Sequence, residues 1–212
     1  MRSLSKSASC KASGIVKRQY LIDIKKEVFR KSIHICSALI PFFLYRWRVQ
    51  VLVALAVVVA LYSVAELLRL KKGIQIPLVS SVTAAAARKR DENKFVLGPV
   101  TLSCGIILCA LLWNSLPAAI GIYSLAFGDG LASLSGKLFG KVQIPLTQGK
   151  TAAGSLTCFA AIFIATFLAC RKSSVAILVA SAGMFIELLP LKDFDNILIP
   201  IVLGGVAQYL LP

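Results

Sequence analysis

Acidic residues are scarce in this chain of 212 residues: nine Asp and Glu stand against 24 Lys and Arg, and none occurs between Gly130 and Ile186. There is one histidine, His34, which excludes a metal cluster built on imidazoles. The six cysteines, at 10, 36, 104, 109, 158 and 170, form no C-x-x-C pair, and five of them lie within or at the ends of apolar segments. A buried cysteine behaves as a small hydrophobe, so neither a disulfide framework nor a zinc site is expected. Internal repeats and low-complexity tracts are absent. No long apolar run precedes residue 33, which argues against a cleavable secretory signal.

Apolar residues are what the chain has in excess, at 58% of the total, with only 16% charged against roughly a quarter in an average soluble domain. A spanning helix needs about 20 mainly apolar residues. Seven stretches approach this, at about 33–46, 49–68, 96–113, 116–135, 152–170, 174–190 and 196–211. The expected fold is therefore all-α, a polytopic membrane helix bundle of about seven transmembrane helices. The formal charge of +15 raises the alternative of a nucleic-acid binder, and its distribution decides against that. With the amino end inside, the inner side carries nine Lys and Arg in residues 1–31, seven in 69–94, three in 137–150, and Lys192. The outer side carries only Arg46, Arg48, Arg171 and Lys172. This asymmetry is the positive-inside rule, and no nucleic-acid partner need be invoked.

Residues 1–22 hold Ser, Lys and Arg but no acid, a composition shared with organellar transit peptides. We take 1–19 as a basic cytoplasmic tail lying on anionic lipid and 20–212 as one membrane-embedded domain. Residues 20–32 pattern as an amphipathic helix on the inner surface. Leu21, Ile24 and Val28 share one face, with Lys25 and Lys26 elsewhere. The run Arg88-Lys89-Arg90-Asp91-Glu92-Asn93-Lys94 is a solvated loop that sets orientation.

Ionisable groups within apolar segments are costly and mark function by default. Glu66, Asp129 and Glu187 qualify. Glu66 lies close to Arg69, which suggests a structural ion pair. Asp129 has no basic residue within a helical turn. It shares a helix face with Ser133, Gly136 and Gly140, beside a small-residue stripe of Gly121, Ser124, Gly128 and Ala132 suited to helix packing. Downstream, Lys137, Lys141 and Lys150 alternate with Gly136, Gly140, Gly149 and Gly154. Lysines supply point charges and glycines expose backbone N–H groups, a combination that suits phosphate. Thr151 opens the next helix, whose free N–H groups would add to that site. Gly149-Lys150-Thr151 is not a P-loop, since position 144 is Ile where the pattern needs Gly. Arg30 and Lys31, then Asp195 and Asn196, fall at the same membrane face. An acid, lysines and glycine backbone at one face are the equipment of phosphoryl transfer.

The pieces RKSIH at 30–34, GDGLASLSGKLFGK at 128–141, GKTAAGS at 149–155, and ELLP with DNILIP at 187–200 resemble, in order and spacing, the CTP-dependent lipid-alcohol kinases. That family includes dolichol kinase, phytol kinase and the yeast-type diacylglycerol kinase. The resemblance implies transfer of the γ-phosphate of CTP to a lipid hydroxyl, with Mg²⁺ or another divalent cation. It implies catalytic roles for Asp129, Arg30 and Lys31, and nucleotide contacts from Gly128, Ser133, Gly136, Gly140, Lys141, Lys150, Thr151, Gly154, Ser155 and Asn196. Metal ligands would be Asp129, Glu187 and Asp195. One departure stands out. The family pattern K-[ST]-x-E-G-S has Ala153 here in place of its Glu, which removes a carboxylate. Phosphatidate cytidylyltransferases share part of this module, but their closing P-G-H-G-G and D-R are missing. A transporter or scaffold would place its unusual residues near the midplane. The expected location is a bacterial inner membrane, or an endoplasmic-reticulum or organelle membrane, with the amino end in the cytoplasm. The partners are CTP and a lipid alcohol.

Overall fold

The computed structural model describes residues 21–22, 24–74, 76, 77, 79, 83, 91, 94–145, 147 and 149–211. The basic tail 1–19 and the run Arg88–Arg90 lie outside the described residues. Among the described residues the regular structure is helical, apart from one isolated antiparallel bridge between Gln143 and Thr151. Helix α1 covers residues 24–36. A 3₁₀ turn, Ser37–Leu39, leads into α2, Ile40–Lys72. Then follow α3, Gly98–Leu112, and α4, Ser115–Tyr123. A π-helical stretch, Ser124–Asp129, joins α4 to α5, Gly130–Phe139. The last three helices are α6, Ala152–Cys170, α7, Ser173–Leu188, and α8, Asp195–Leu210.

Local chemistry accounts for several boundaries. Pro41 and Pro99 stand in the first turns of α2 and α3, where a missing N–H costs nothing. Gly73 ends α2 with a φ of 66° and returns its N–H to Arg69 O, a left-handed cap that glycine adopts without strain.

The run from α1 through α2 is not one straight rod. At about 1.5 Å per residue, a straight helix would hold residues 31 and 66 roughly 50 Å apart. Yet Lys31 and Val96 line one small cavity, while Val96 N–H donates to Glu66 Oε1 at 3.0 Å. The chain must reverse between them. The one non-helical residue inside α2 is Trp47, with φ −136° and ψ 56°, and the reversal falls there. Apolar stretches 33–46 and 49–68 thus form the two limbs of a bend without an intervening loop.

Three helical runs, Ile24–Lys72, Ser115–Phe139 and Ala152–Cys170, are long and apolar enough to cross a membrane by length and composition. Helices α3, α7 and α8 are apolar but have only 15, 16 and 16 residues. The expected segments at 96–113, 174–190 and 196–211 are present but lose residues to caps and turns at their ends. The most apolar window of α2 region has a mean hydropathy of 2.5 and is only 17% buried. Val49, Val53, Val57, Leu61 and Val64 all lie exposed there. A soluble monomer rarely exposes so large an apolar surface, and hydrocarbon is the solvent it suits.

The core forms around α4 and the π-helical stretch. Ile120, Ile122 and Leu125 are fully enclosed with Ile162 of α6, Val179 of α7, and Leu203 and Ala207 of α8. The small-residue stripe is split by the π-helical stretch. In an unbroken α-helix Gly121 and Gly128 would share a face. Here Gly121 abuts Pro200 of α8 and Gly128 abuts Ile162 of α6, because the wider π turn offsets the register by a residue.

Candidate functional site

Helix α1 turns its polar side inward. Glu27, Lys31 and His34, spaced i, i+4 and i+7, are buried, whereas Leu21 and Val28 are exposed. Glu27, Lys31 and His34 thus face the bundle, while Lys25 and Lys26 are exposed together with Leu21 and Val28. Close approach is possible because Gly130 has no side chain: a Cβ there would stand 3.2 Å from Ile35 Cγ1. The consequence is that Lys31 Nζ donates to Asp129 Oδ2 at 2.5 Å, with both side chains at most 4% exposed. His34 Nδ1 lies 3.2 Å from the same oxygen. Asp129, without a basic neighbour in sequence, acquires one from a helix 98 residues away. It sits at the last residue of the π-helical stretch, a distortion often found at functional sites.

Glu27 is the residue that sequence reasoning missed. Its carboxylate accepts from Arg30 at 2.5 Å, Lys137 Nζ at 2.7 Å and Ser133 Oγ at 2.6 Å. The i, i+4, i+7 spacing of Glu27, Lys31 and His34 was the available signal. On the facing wall, Lys150 Nζ donates to Glu187 Oε1 at 2.5 Å. Glu187 Oε2 is buried without a partner.

These groups surround a cavity of about 350 Å³. Its lining includes Arg30, Lys31, Asp129, Ser133, Gly136, Lys150, Thr151, Gly154, Ser155, Glu187 and Asp195 from the sequence-derived set. Lys137, Gly149 and Lys192 add to it. Gly149 has a φ of 95°, a conformation that favours glycine and turns the loop into α6.

Four expected residues are absent from this wall, although Asn196 lines a smaller cavity that shares Arg30, Lys31, Asp129 and Asp195 with it. Gly128 packs on Ile162. Gly140 faces Thr151, where a Cβ would meet Oγ1 at 2.6 Å. Lys141 is exposed and absent from the wall. Asn196 is buried and donates from Nδ2 to Thr101 Oγ1 at 3.0 Å, tying α8 to α3. The α6 N-terminus is also less open than expected. Ala152 N–H donates to Val142 O, and Thr151 Oγ1 accepts from Gly154 N–H at 3.2 Å.

Glu66 has the structural role its spacing suggested. Arg69 grips both of its oxygens, from Nε at 2.9 Å and Nη2 at 2.6 Å.

Asp129, Glu187 and Asp195 border one cavity but do not make a ready metal cage. Among the described residues no group of three or more His, Cys, Asp or Glu side chains is close enough to hold an ion. Mg²⁺ seldom needs such a cage, since it is usually bound by one or two carboxylates together with substrate phosphates and waters. The unpartnered Glu187 Oε2 fits that mode.

Fold and site together define an all-helical membrane protein with a basic, carboxylate-containing cavity at one end of its bundle. Its homologues are kinases of lipid alcohols. It is 25% identical to probable phytol kinase 1, chloroplastic, of Oryza sativa subsp. japonica, over 89% of this chain and 65% of that protein. Phytol kinase 1, chloroplastic, of Arabidopsis thaliana is 28% identical over 84% of this chain and 64% of its own length. Farnesol kinase, chloroplastic, of the same plant is 33% identical over a shorter stretch, 38% of this chain and 27% of that protein. The chain thus spans slightly less than two thirds of the two phytol kinases. No family profile and no solved structure matches it.

Proposed function

We propose that this protein transfers the terminal phosphate of CTP to the hydroxyl of a membrane-resident, long-chain alcohol of the isoprenoid type. The observation that carries the reading is the 350 Å³ cavity built around Lys31 and Asp129, in a chain homologous to phytol and farnesol kinases. Phosphoryl transfer asks a protein mainly for positioning and charge stabilisation. Arg30, Lys31, Lys137 and Lys150 supply cations from three elements, and Gly136, Gly149 and Gly154 let backbone approach the phosphates. Asp129 and Glu187 would hold Mg²⁺ against those phosphates, and the ion supplies neutralisation of charge on the transferred group. Glu27 holds Arg30 and Lys137 in place.

In this reading seven helical segments cross the bilayer, counting the limbs on either side of Trp47 separately. The amino end and the cavity lie on the cytoplasmic side, where 20 of the 24 basic residues collect. The cavity mouth then meets soluble nucleotide from one side and lipid from the other. A cavity at one end suits an enzyme of the membrane surface better than a transporter, whose site belongs near the midplane.

The test is transfer of label from γ-labelled CTP or ATP to phytol, farnesol, a polyprenol and diacylglycerol in membranes containing the chain. Labelled phytyl or farnesyl phosphate formed from CTP is the expected result. Absence of label in every lipid overturns the kinase reading, and preference for ATP overturns the donor assignment.

A further inference from the structure

Four of the five cations that line the large cavity are already paired with carboxylates. Arg30 Nη2 lies 2.5 Å from Glu27 Oε1, and Lys137 Nζ lies 2.7 Å from Glu27 Oε2. Lys31 Nζ and Lys150 Nζ each stand 2.5 Å from a carboxylate oxygen, of Asp129 and Glu187 respectively. A phosphate that pairs with any of these four competes with a carboxylate for it. Lys192 is the exception. It lines the same cavity, is exposed, and makes no ion pair or side-chain hydrogen bond among the described residues.

Its place on the wall adds to this. Arg30 and Lys31 come from α1, Lys137 from α5, and Lys150 from the loop before α6. The side formed by the end of α7, the loop after it and the start of α8 brings two carboxylates, Glu187 and Asp195, and Lys192 is its one cation among the described residues. Without Lys192 that side would repel a polyphosphate. Asp195 does not neutralise it: no ion pair joins the two, and Asp195 Oδ1 accepts from Asn196 N–H at 2.9 Å.

The backbone points the same way. Lys192 is the second residue of a turn closed by Phe194 N–H, which donates to Leu191 O at 3.1 Å, and its φ is 59°. Glycine, asparagine and aspartate adopt this left-handed conformation at the least cost. Residues held in it against their preference gather at ligand sites. A lysine gains nothing from such a turn locally, and what it adds there is an ammonium at the cavity wall.

We propose that Lys192 anchors the polyphosphate of CTP, with its unpaired ammonium binding phosphate oxygens without displacing a carboxylate. The proposal rests on the kinase reading above and adds the α7–α8 loop to the elements that hold the nucleotide. No bond is made or broken at Lys192, so it acts on binding rather than on the transfer itself.

The turn also supplies the controls. Asn and Gly both suit a left-handed backbone, so Lys192→Asn and Lys192→Gly remove the charge while the loop keeps its conformation. The full chain is purified in mixed micelles, CTP binding is measured by calorimetry, and transfer to phytol is followed with labelled CTP. Both variants are expected to weaken CTP binding and raise the CTP KM about tenfold, the loss of one charge-assisted contact. Their kcat and phytol KM should stay within about twofold, with thermal stability undiminished. Lys192→Arg, which keeps the charge, should remain within about threefold of the unmodified chain in CTP affinity. Lys172→Asn, which removes an exposed charge beyond the far end of α6, should leave CTP binding unchanged. Unchanged CTP affinity in Lys192→Asn and Lys192→Gly overturns the proposal and leaves the kinase reading standing. So does an equal loss in Lys192→Arg, which traces the effect to the loop, or in Lys172→Asn, which traces it to net charge. An unmodified chain that transfers label to no alcohol overturns the kinase reading, and the anchor with it.

Discussion

The Lys31–Asp129 pair yields a double-mutant cycle in which stability and chemistry separate. Both side chains are at most 4% exposed and meet at 2.5 Å, so removing one partner leaves a nearly buried charge unpaired. Breaking a buried pair in this way costs about 3–5 kcal/mol, whereas replacing both partners with apolar residues of similar volume is often neutral. Asp129→Leu, which leaves Lys31 without its carboxylate, is expected near the upper end of that range. Lys31→Met is expected near the lower end, because His34 remains 3.2 Å from Asp129 Oδ2 and takes up part of the interaction. The double variant should fall within about 1 kcal/mol of the unmodified chain, giving a coupling energy of several kcal/mol. Unfolding of purified protein in mixed micelles by denaturing detergent measures each corner. Phosphate transfer to phytol should be lost in all three variants, including the stable double. Single variants each costing under about 1 kcal/mol, or a double whose cost equals their sum, would refute the buried coupling. A double variant that turns over normally would refute the catalytic assignment.

Glu66→Gln breaks the two-point grip of Arg69 and should cost about 1–3 kcal/mol of stability with turnover per folded molecule unchanged, as thermal unfolding and active-site-normalised rates will show. Gly140→Ala drives a Cβ to 2.1 Å from Gly136 O and 2.6 Å from Thr151 Oγ1. It should displace the helix cap, cost about 1–3 kcal/mol and weaken nucleotide binding, measured by calorimetry. Glu187→Gln should raise the Mg²⁺ concentration for half-maximal rate about tenfold or more, and an unchanged Mg²⁺ titration would remove Glu187 from the metal site. Single cysteines at positions 141 and 171, in a chain otherwise free of cysteine, should react with impermeant reagent from opposite sides of sealed vesicles. Labelling of both from one side would contradict the seven-crossing topology.

The membrane character of this chain was legible without coordinates, because the cost of placing charge in hydrocarbon is local and leaves a composition and loop asymmetry that can be counted. Most of the cavity was legible for a related reason. Arg30, Asp129, Lys150, Glu187 and Asp195 each stand near the end of an apolar run, and the alternation of helix direction brings such ends together. The ion pair of Glu66 with Arg69 was visible because it spans three residues on one helix.

Contacts between distant elements were decided only by the tertiary structure. Lys31 reaches Asp129 across 98 positions because Gly130 lets α1 come close, and nothing at either site announces the other. Glu27 looked like one charge on a surface helix until its neighbours Ser133 and Lys137 were placed against it. The reversal at Trp47 depends on one pair of backbone angles, and the split of the Gly121 and Gly128 stripe depends on one residue of π-helical register. The walls of the large cavity come from α1, α5, the start of α6 and the facing ends of α7 and α8. Their lining residues lie far apart along the chain, and one-dimensional periodicity carries no record of which helix ends will share a wall.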